Sequence, residues 1–199
     1  MVEAVSPRSK SQLRTALLQN RRSVPEAVRE GEAEALRGWL SGLKISGRTV
    51  CAYVPVGSEP GSIALLDTLL ELGARVLLPV ARNDAAGIPR PLQWGKYRPG
   101  TLVAAEFGLR EPPPPWLPAE TIGEADVILV PALAVDRSGA RLGRGAGFYD
   151  RTLHHAAATA QVIAVVRDDE LLDEIPAEPH DVAMTHALTP RRGVLPLRR

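Results

Sequence analysis

Residues 49–79 read TVCAYVPVGSEPGSIALLDTLLELGARVLLP, and the change of rhythm inside this stretch decides the fold. Thr49–Val54 is a short apolar run, which predicts a strand buried on both faces. A turn of proline, glycine and serine follows, and Ile63–Leu72 then spaces its leucines as a helix does. Arg75–Pro79 returns to strand composition. Further along, Asp126–Val130 and Val162–Val166 read as strands, Leu92–Trp94 as a short one, and Val182–Thr185 as a last short one. Strands alternating with helices predict an α/β fold, a mostly parallel sheet with helices on both faces.

Two helices precede this pattern. The first spans 7–22, with Leu13, Leu17 and Leu18 as its apolar stripe and Ser6 before Pro7 as cap and first turn. Ser23-Val24-Pro25 ends it, and the second runs from Glu26 to Leu40. Residues 1–45 therefore pack as helices on the sheet, and 1–199 form one domain. Residues 82–91 are a polar turn region, either a lid or a variable loop. Pro112–Pro115 excludes helix and predicts an extended surface connection. Ligands of such sheets bind at the carboxyl ends of strands, so the loops after 54, 79 and 131 are expected to line one cleft.

With 199 residues, 45% hydrophobic and 24% charged, the chain is long enough for a sizeable core. A net charge of +1 argues against nucleic acid or an anionic membrane as partner. No apolar run is long enough to span a bilayer. Glu3 and Lys10 with no apolar core between them predict no secretory signal, hence a cytoplasmic protein. Cys51, the lone cysteine, sits in an apolar run and reads as a buried, inert thiol. The four histidines show no metal-ligand spacing, which argues against zinc.

The chemistry concentrates in residues 141–150, Arg-Leu-Gly-Arg-Gly-Ala-Gly-Phe-Tyr-Asp. Alternating glycines let the backbone approach a ligand, and arginines add forked donors for an anion. Phe148 to Ala158 reads as a helix, so this loop would sit at a helix N-terminus, where phosphate is favoured. The loop fits neither the P-loop nor the dinucleotide fingerprint, and a turn that binds nothing is an equal alternative. Lys10 and Arg14 share a helix face, either solvated or reaching phosphates. Glu59 is either a carboxylate near a helix start or an acceptor for a bound heterocycle. Trp94 and Tyr97 are either core or a stacking wall. A turn suffices to explain Asp136, whereas Asp181 is either a turn residue or a neighbour of the same magnesium as Asp150.

Taken in order, six segments resemble the 5-formyltetrahydrofolate cyclo-ligase family. They are Lys10–Arg14, Tyr53–Glu59, Phe107–Pro112, Val130–Asp136, Arg141–Arg151 and Ile175–Asp181. The resemblance implies the sheet fold shared with sugar-phosphate isomerases and CoA transferases. It implies an ATP- and magnesium-dependent ligase that closes 5-formyltetrahydrofolate to 5,10-methenyltetrahydrofolate, releasing ADP and phosphate. The formyl oxygen would attack the γ-phosphate. The neighbouring nitrogen would then displace phosphate from the imidoyl phosphate.

By the same resemblance, Lys10 and Arg14 hold ATP phosphates. Arg141, Leu142, Gly143, Arg144, Gly145, Ala146, Gly147, Phe148 and Tyr149 form the nucleotide loop. Arg144 and Tyr149 act in catalysis, with Arg144 on the transferring phosphoryl group. Val54, Glu59, Trp94 and the stretch Arg144–Phe148 contact the folate. Asp150 and Asp181 hold magnesium. The partners are then 5-formyltetrahydrofolate and ATP, and the protein acts as a monomer. Three positions depart from the family's common pattern: Ala146 where lysine or glycine is usual, Phe148 for tyrosine, and Thr185 for aspartate. The competing readings are a kinase or ligase on another substrate, and a folate- or nucleotide-binding protein without turnover.

Overall fold

Apolar residues in the strands alternate between two cores, and this alternation lays out the molecule. Val50, Val76, Leu78, Leu129 and Ile163 pack on one side of the central sheet. Cys51, Leu77, Ile128, Val130 and Ala164 pack on the other, as strand pleating requires of a sheet covered on both faces. The computed structural model describes residues 9–176, 178 and 181–198, without the side chain of Phe107. The central sheet has seven strands: β1 (Thr49–Cys51), β2 (Arg75–Val80), β3 (Gln93–Lys96), β6 (Val127–Pro131), β9 (Gln161–Val165), β11 (His186–Thr189) and β12 (Gly193–Pro196). Their order is β12-β11-β9-β6-β1-β2-β3. The five inner strands are parallel, and the edge strands β3 and β12 run antiparallel to their neighbours.

The helices are α1 (Lys10–Ser23), α2 (Glu26–Trp39), α3 (Ile63–Glu71) and α4 (Phe148–Thr152). Leu36 of α2 and Leu65, Leu66 and Leu69 of α3 fill the first core. A hairpin of β4 (Val103–Ala104) and β5 (Arg110–Glu111) lies apart from a small sheet ordered β10-β7-β8. That sheet comprises β7 (Ala134–Asp136), β8 (Arg141–Leu142) and β10 (Leu171–Leu172). Leu17 of α1 packs on it, with Leu133, Leu142 and Ile175.

Several expectations are corrected. The first helix begins at Lys10, capped by Ser9 rather than Ser6. The Ser9 hydroxyl accepts from the Gln12 amide while the Gln12 side chain accepts from the Ser9 amide; Ser6 and Pro7 lie outside the described residues. The helix expected over Phe148–Ala158 stops at Thr152 and tightens into a 3₁₀ turn, Leu153–His155. The buried Thr152 hydroxyl donates to the Phe148 carbonyl and accepts from the Leu92 amide, pinning α4 to the sheet. Tertiary contacts thus override the helical propensity of the alanines that follow. The last inner strand is His186–Thr189, not Val182–Thr185, because pairing with β9 begins at His186 opposite Ile163. The hairpin to β12 was not foreseen. Cys51 is buried, which pushes its thiol up to about 12.

Asp136 organises the small sheet. Its buried Oδ1 accepts from the Ser138 amide and hydroxyl and the Ala140 amide at 2.7–3.0 Å, and Oδ2 accepts from the Ile175 amide at 2.9 Å. Replacing it by alanine leaves these backbone donors unmatched. Asp136→Ala should cost about 2–4 kcal/mol in urea unfolding, and a loss under about 1 kcal/mol would contradict this role.

Candidate active site

The chain runs from β1 to β2 on one side and later places β6 on the other side of β1. Strand order thus reverses between β1 and β6, where a crevice opens at the carboxyl ends. A cavity of about 180 Å³ lies there, and the three loops expected to line it do so, through Val54, Pro79 with Ala81, and Pro131–Leu133. Arg141 and the loop 143–150 form a further wall, and Arg21, Leu92, Leu109 and Arg110 also line it.

The loop takes its shape from two left-handed glycines, Gly145 at φ +99° and Gly147 at φ +80°. A side chain at Gly145 would also stand 3.7 Å from the Arg14 guanidinium. Arg14 Nε donates to the Gly143 carbonyl at 3.0 Å, so α1 and the loop are joined. Helix α4 has only five residues, so its dipole is smaller than the expected helix would give. Leu142 lies in the core behind the loop, with only its neighbours facing the cleft.

Arg141 is a deeply buried charge of the cleft. Its side chain is 7% exposed and ion-paired with Asp150. Among the described residues, its buried Nε and Nη1 have no hydrogen-bond partner, nor has the Tyr149 hydroxyl. The Arg141 guanidinium carbon lies 5.9 Å from the centre of the Tyr149 ring. Burial, followed by the nearby Glu59 charge, pushes the Tyr149 phenol far up, so it stays protonated and able to donate.

Glu59 faces this group. Its Oε2 accepts from the Val56 amide at 3.0 Å, and its Oε1 lies 3.1 Å from Nε of Arg144, whose side chain is 47% exposed. Burial raises the Glu59 carboxyl above the ordinary range; Arg144 and the Val56 amide pull it down. Lys10 Nζ donates to Glu178 Oε1 at 3.0 Å and to Asp181 Oδ2 at 3.1 Å.

Ala146, Phe148 and Asp150 line the cleft with these groups. Trp94 does not: it is fully buried in the second core, with its indole N–H on the Ala119 carbonyl at 3.3 Å. The expectation that it contacts substrate is corrected, since its ring fills core volume. Tyr97 is likewise core, and its hydroxyl donates to Asp67 at 2.7 Å. Asp150 lines the cleft, whereas Asp181 sits beside Lys10 outside its lining. Each is already paired with a cation, and among the described residues no group of three acidic, histidine or cysteine side chains is placed to hold a metal. Sequence reasoning missed Arg21, a buried residue of the cleft wall. A signal existed, because Arg21 follows Leu13 and Leu17 at four-residue steps and so sits on the apolar face.

The fold and the paired charges around one crevice define an α/β protein with a ligand cleft at the switch point of its sheet. Residues 6–190 match the 5-formyltetrahydrofolate cyclo-ligase family. The chain is 96% identical over 194 residues to the 5-formyltetrahydrofolate cyclo-ligase of Mycolicibacterium smegmatis, covering 98% of this chain and 100% of that one. It is 30% identical over 178 residues to that of Escherichia coli K12, covering 87% and 96%. The structure of Aquifex aeolicus 5,10-methenyltetrahydrofolate synthetase superposes with a TM-score of 0.77 at 27% identity, covering 96% of this chain and 93% of that one. The chain belongs to the 5-formyltetrahydrofolate cyclo-ligase family and is an enzyme, a ligase.

The raised Glu59 carboxyl has a thermodynamic consequence. The folded protein holds this proton more tightly than the unfolded chain does. Stability is therefore lost as pH rises from the ordinary glutamate range through the raised folded value. Glu59→Gln removes that loss, so in thermal unfolding the variant should gain stability relative to wild type as pH rises above the ordinary glutamate range. A difference independent of pH would contradict the burial of this charge.

Proposed function

We propose that the protein uses ATP and magnesium to cyclise 5-formyltetrahydrofolate to 5,10-methenyltetrahydrofolate, with release of ADP and phosphate. The observation that carries this reading is the buried Arg141, with two unpartnered donors, facing a cleft that also holds Glu59. One end suits phosphate oxygens and the other suits the polar edge of a heterocycle.

The oxygen of a formyl group carried on nitrogen is a poor leaving group. Its attack on the γ-phosphorus breaks the bond to ADP and gives an imidoyl phosphate. The neighbouring anilino nitrogen then attacks the imidoyl carbon and gives up its proton to the departing phosphate, which leaves with the former formyl oxygen as the new C–N bond closes the ring. This chemistry asks for positioning and charge neutralisation rather than a protein nucleophile.

In this reading Arg141 and the backbone of Gly143–Tyr149 hold the nucleotide, with Lys10 and Arg14 reaching its phosphates from α1. Arg144 leaves Glu59 for the transferring phosphoryl group, and Glu59 then accepts from the pterin. The Tyr149 hydroxyl donates to an oxygen that becomes charged. Val54, Ala146 and Phe148 give the apolar wall for the flat substrate. The residues present do not build a magnesium site on their own. An ion carried by nucleotide phosphates needs only one or two carboxylates and keeps several waters; in this reading Asp150 at the loop would be that carboxylate, and Asp181, held by Lys10, would reach the ion through water. Bound there, magnesium would neutralise phosphate charge. A net charge of +1 and a small-molecule cleft support a cytoplasmic monomer with no nucleic-acid or membrane partner.

The test is the absorbance of the methenyl product on mixing protein, 5-formyltetrahydrofolate, ATP and magnesium. A rise that needs all three supports the reading, and folate binding without any rise would leave a binding protein. Arg144→Ala should lower kcat by about 10²–10³-fold and still bind folate. Unchanged turnover in that variant would remove Arg144 from the phosphoryl step.

A further inference from the structure

Arg21 sits on α1, buried to 2% exposure, in the wall of the cleft. Its Nε donates to Glu170 Oε1 at 2.6 Å, and its Nη2 donates to Glu170 Oε2 at 2.7 Å and to the Ala132 carbonyl at 2.5 Å. Glu170 is itself fixed, because its Oε2 also accepts from the Arg167 amide at 2.8 Å. The guanidinium is thus locked along two edges. Among the described residues, nothing accepts a hydrogen bond from its third nitrogen, Nη1. A buried ion pair is a weak source of stability, since desolvation offsets its attraction. A guanidinium held this rigidly in a cleft wall is well suited to recognition, because its free donor is already oriented.

The neighbourhood indicates which part of a ligand it meets. Tyr53 and Val54 share this wall, and Glu59 lies close enough for the Arg21 charge to help pull its carboxyl down. A carboxylate accepts hydrogen bonds, and an arginine donates them. Together they match a ring edge that places N–H donors beside a carbonyl oxygen, which is the edge a 2-amino-4-oxopterin presents.

Resting on the folate reading above, we propose that Arg21 is a substrate-binding residue whose Nη1 donates to the ring carbonyl oxygen of the pterin, next to the edge that Glu59 accepts from. It adds to this site a recognition element carried by α1, the helix that also brings Lys10 and Arg14.

Removing Arg21 alone would strand Glu170 as an unpaired buried charge, so the test uses Arg21→Met combined with Glu170→Gln. Glu170→Gln alone and Arg21→Lys serve as companions. Circular dichroism and thermal unfolding first establish that each variant folds. Affinity for 5-formyltetrahydrofolate is then measured by calorimetry without ATP, and KM for each substrate in the absorbance assay. The double variant should bind folate about tenfold or more weakly, with KM for ATP unchanged. Glu170→Gln, which keeps the guanidinium, should bind as wild type, and Arg21→Lys should recover part of the loss. Wild-type folate affinity in the folded double variant would overturn the assignment, as would a rise confined to KM for ATP. Failure of the wild-type protein itself to bind folate would instead overturn the functional reading, and this assignment with it.

Discussion

Arg141 is a guanidinium removed from water with a single carboxylate for company. Asp150 satisfies one of its nitrogens, and two more N–H-bearing nitrogens are left buried without acceptors. Unmatched buried donors cost free energy wherever they occur. Here the surrounding structure holds the arrangement in place. Asp136 closes the turn between β7 and β8 and ties Ile175 to it, and β8 delivers Arg141 into the crevice. Two left-handed glycines then turn the chain back, and Thr152 pins the short helix that follows. In the reading proposed above, an oxygen-rich anion entering the cleft would supply the missing acceptors, so the desolvation cost carried by the free protein would favour binding.

The other cations around the cleft are held differently. Lys10 rests on Glu178 and Asp181, and Arg144 rests on Glu59. These contacts are partly open to solvent, where an ion pair contributes little and is readily exchanged. A nucleotide can therefore compete for Lys10 and Arg144 at small cost. Arg21 and Glu170 form the opposite case, buried and bidentate, and they fix α1 against the floor of the cleft. One helix thus carries an immobile cation at its inner end and a mobile one at its outer end. In the readings proposed above, the first would recognise a rigid ring and the second would follow a phosphate that changes during reaction.

The central sheet was legible because Thr49–Val54, Arg75–Pro79, Asp126–Val130 and Val162–Val166 are apolar runs of strand length between clear turns. They agree with the observed strands to within a few residues. The edge of the sheet was not. His186–Thr189 begins with a histidine, and its partner β12 is short and follows two arginines, so only pairing with β9 reveals it. Helix α4 was overestimated because alanines favour helix locally, whereas Leu153 is drawn into the core. Within the site, the glycine-arginine loop announced itself by composition. Trp94 misled, because an aromatic beside a glycine and a lysine reads equally as wall or core. Arg21 stands beside Arg22 in the sequence, and only its four-residue step from Leu17 marks it as facing inward.

The most direct test is a crystal structure with a non-hydrolysable ATP analogue and magnesium. The account predicts phosphate oxygens within hydrogen-bond distance of Nε and Nη1 of Arg141, with Arg144 turned from Glu59 toward the terminal phosphate. A nucleotide bound elsewhere, with the Arg141 donors still unmatched and Arg144 still on Glu59, would contradict it.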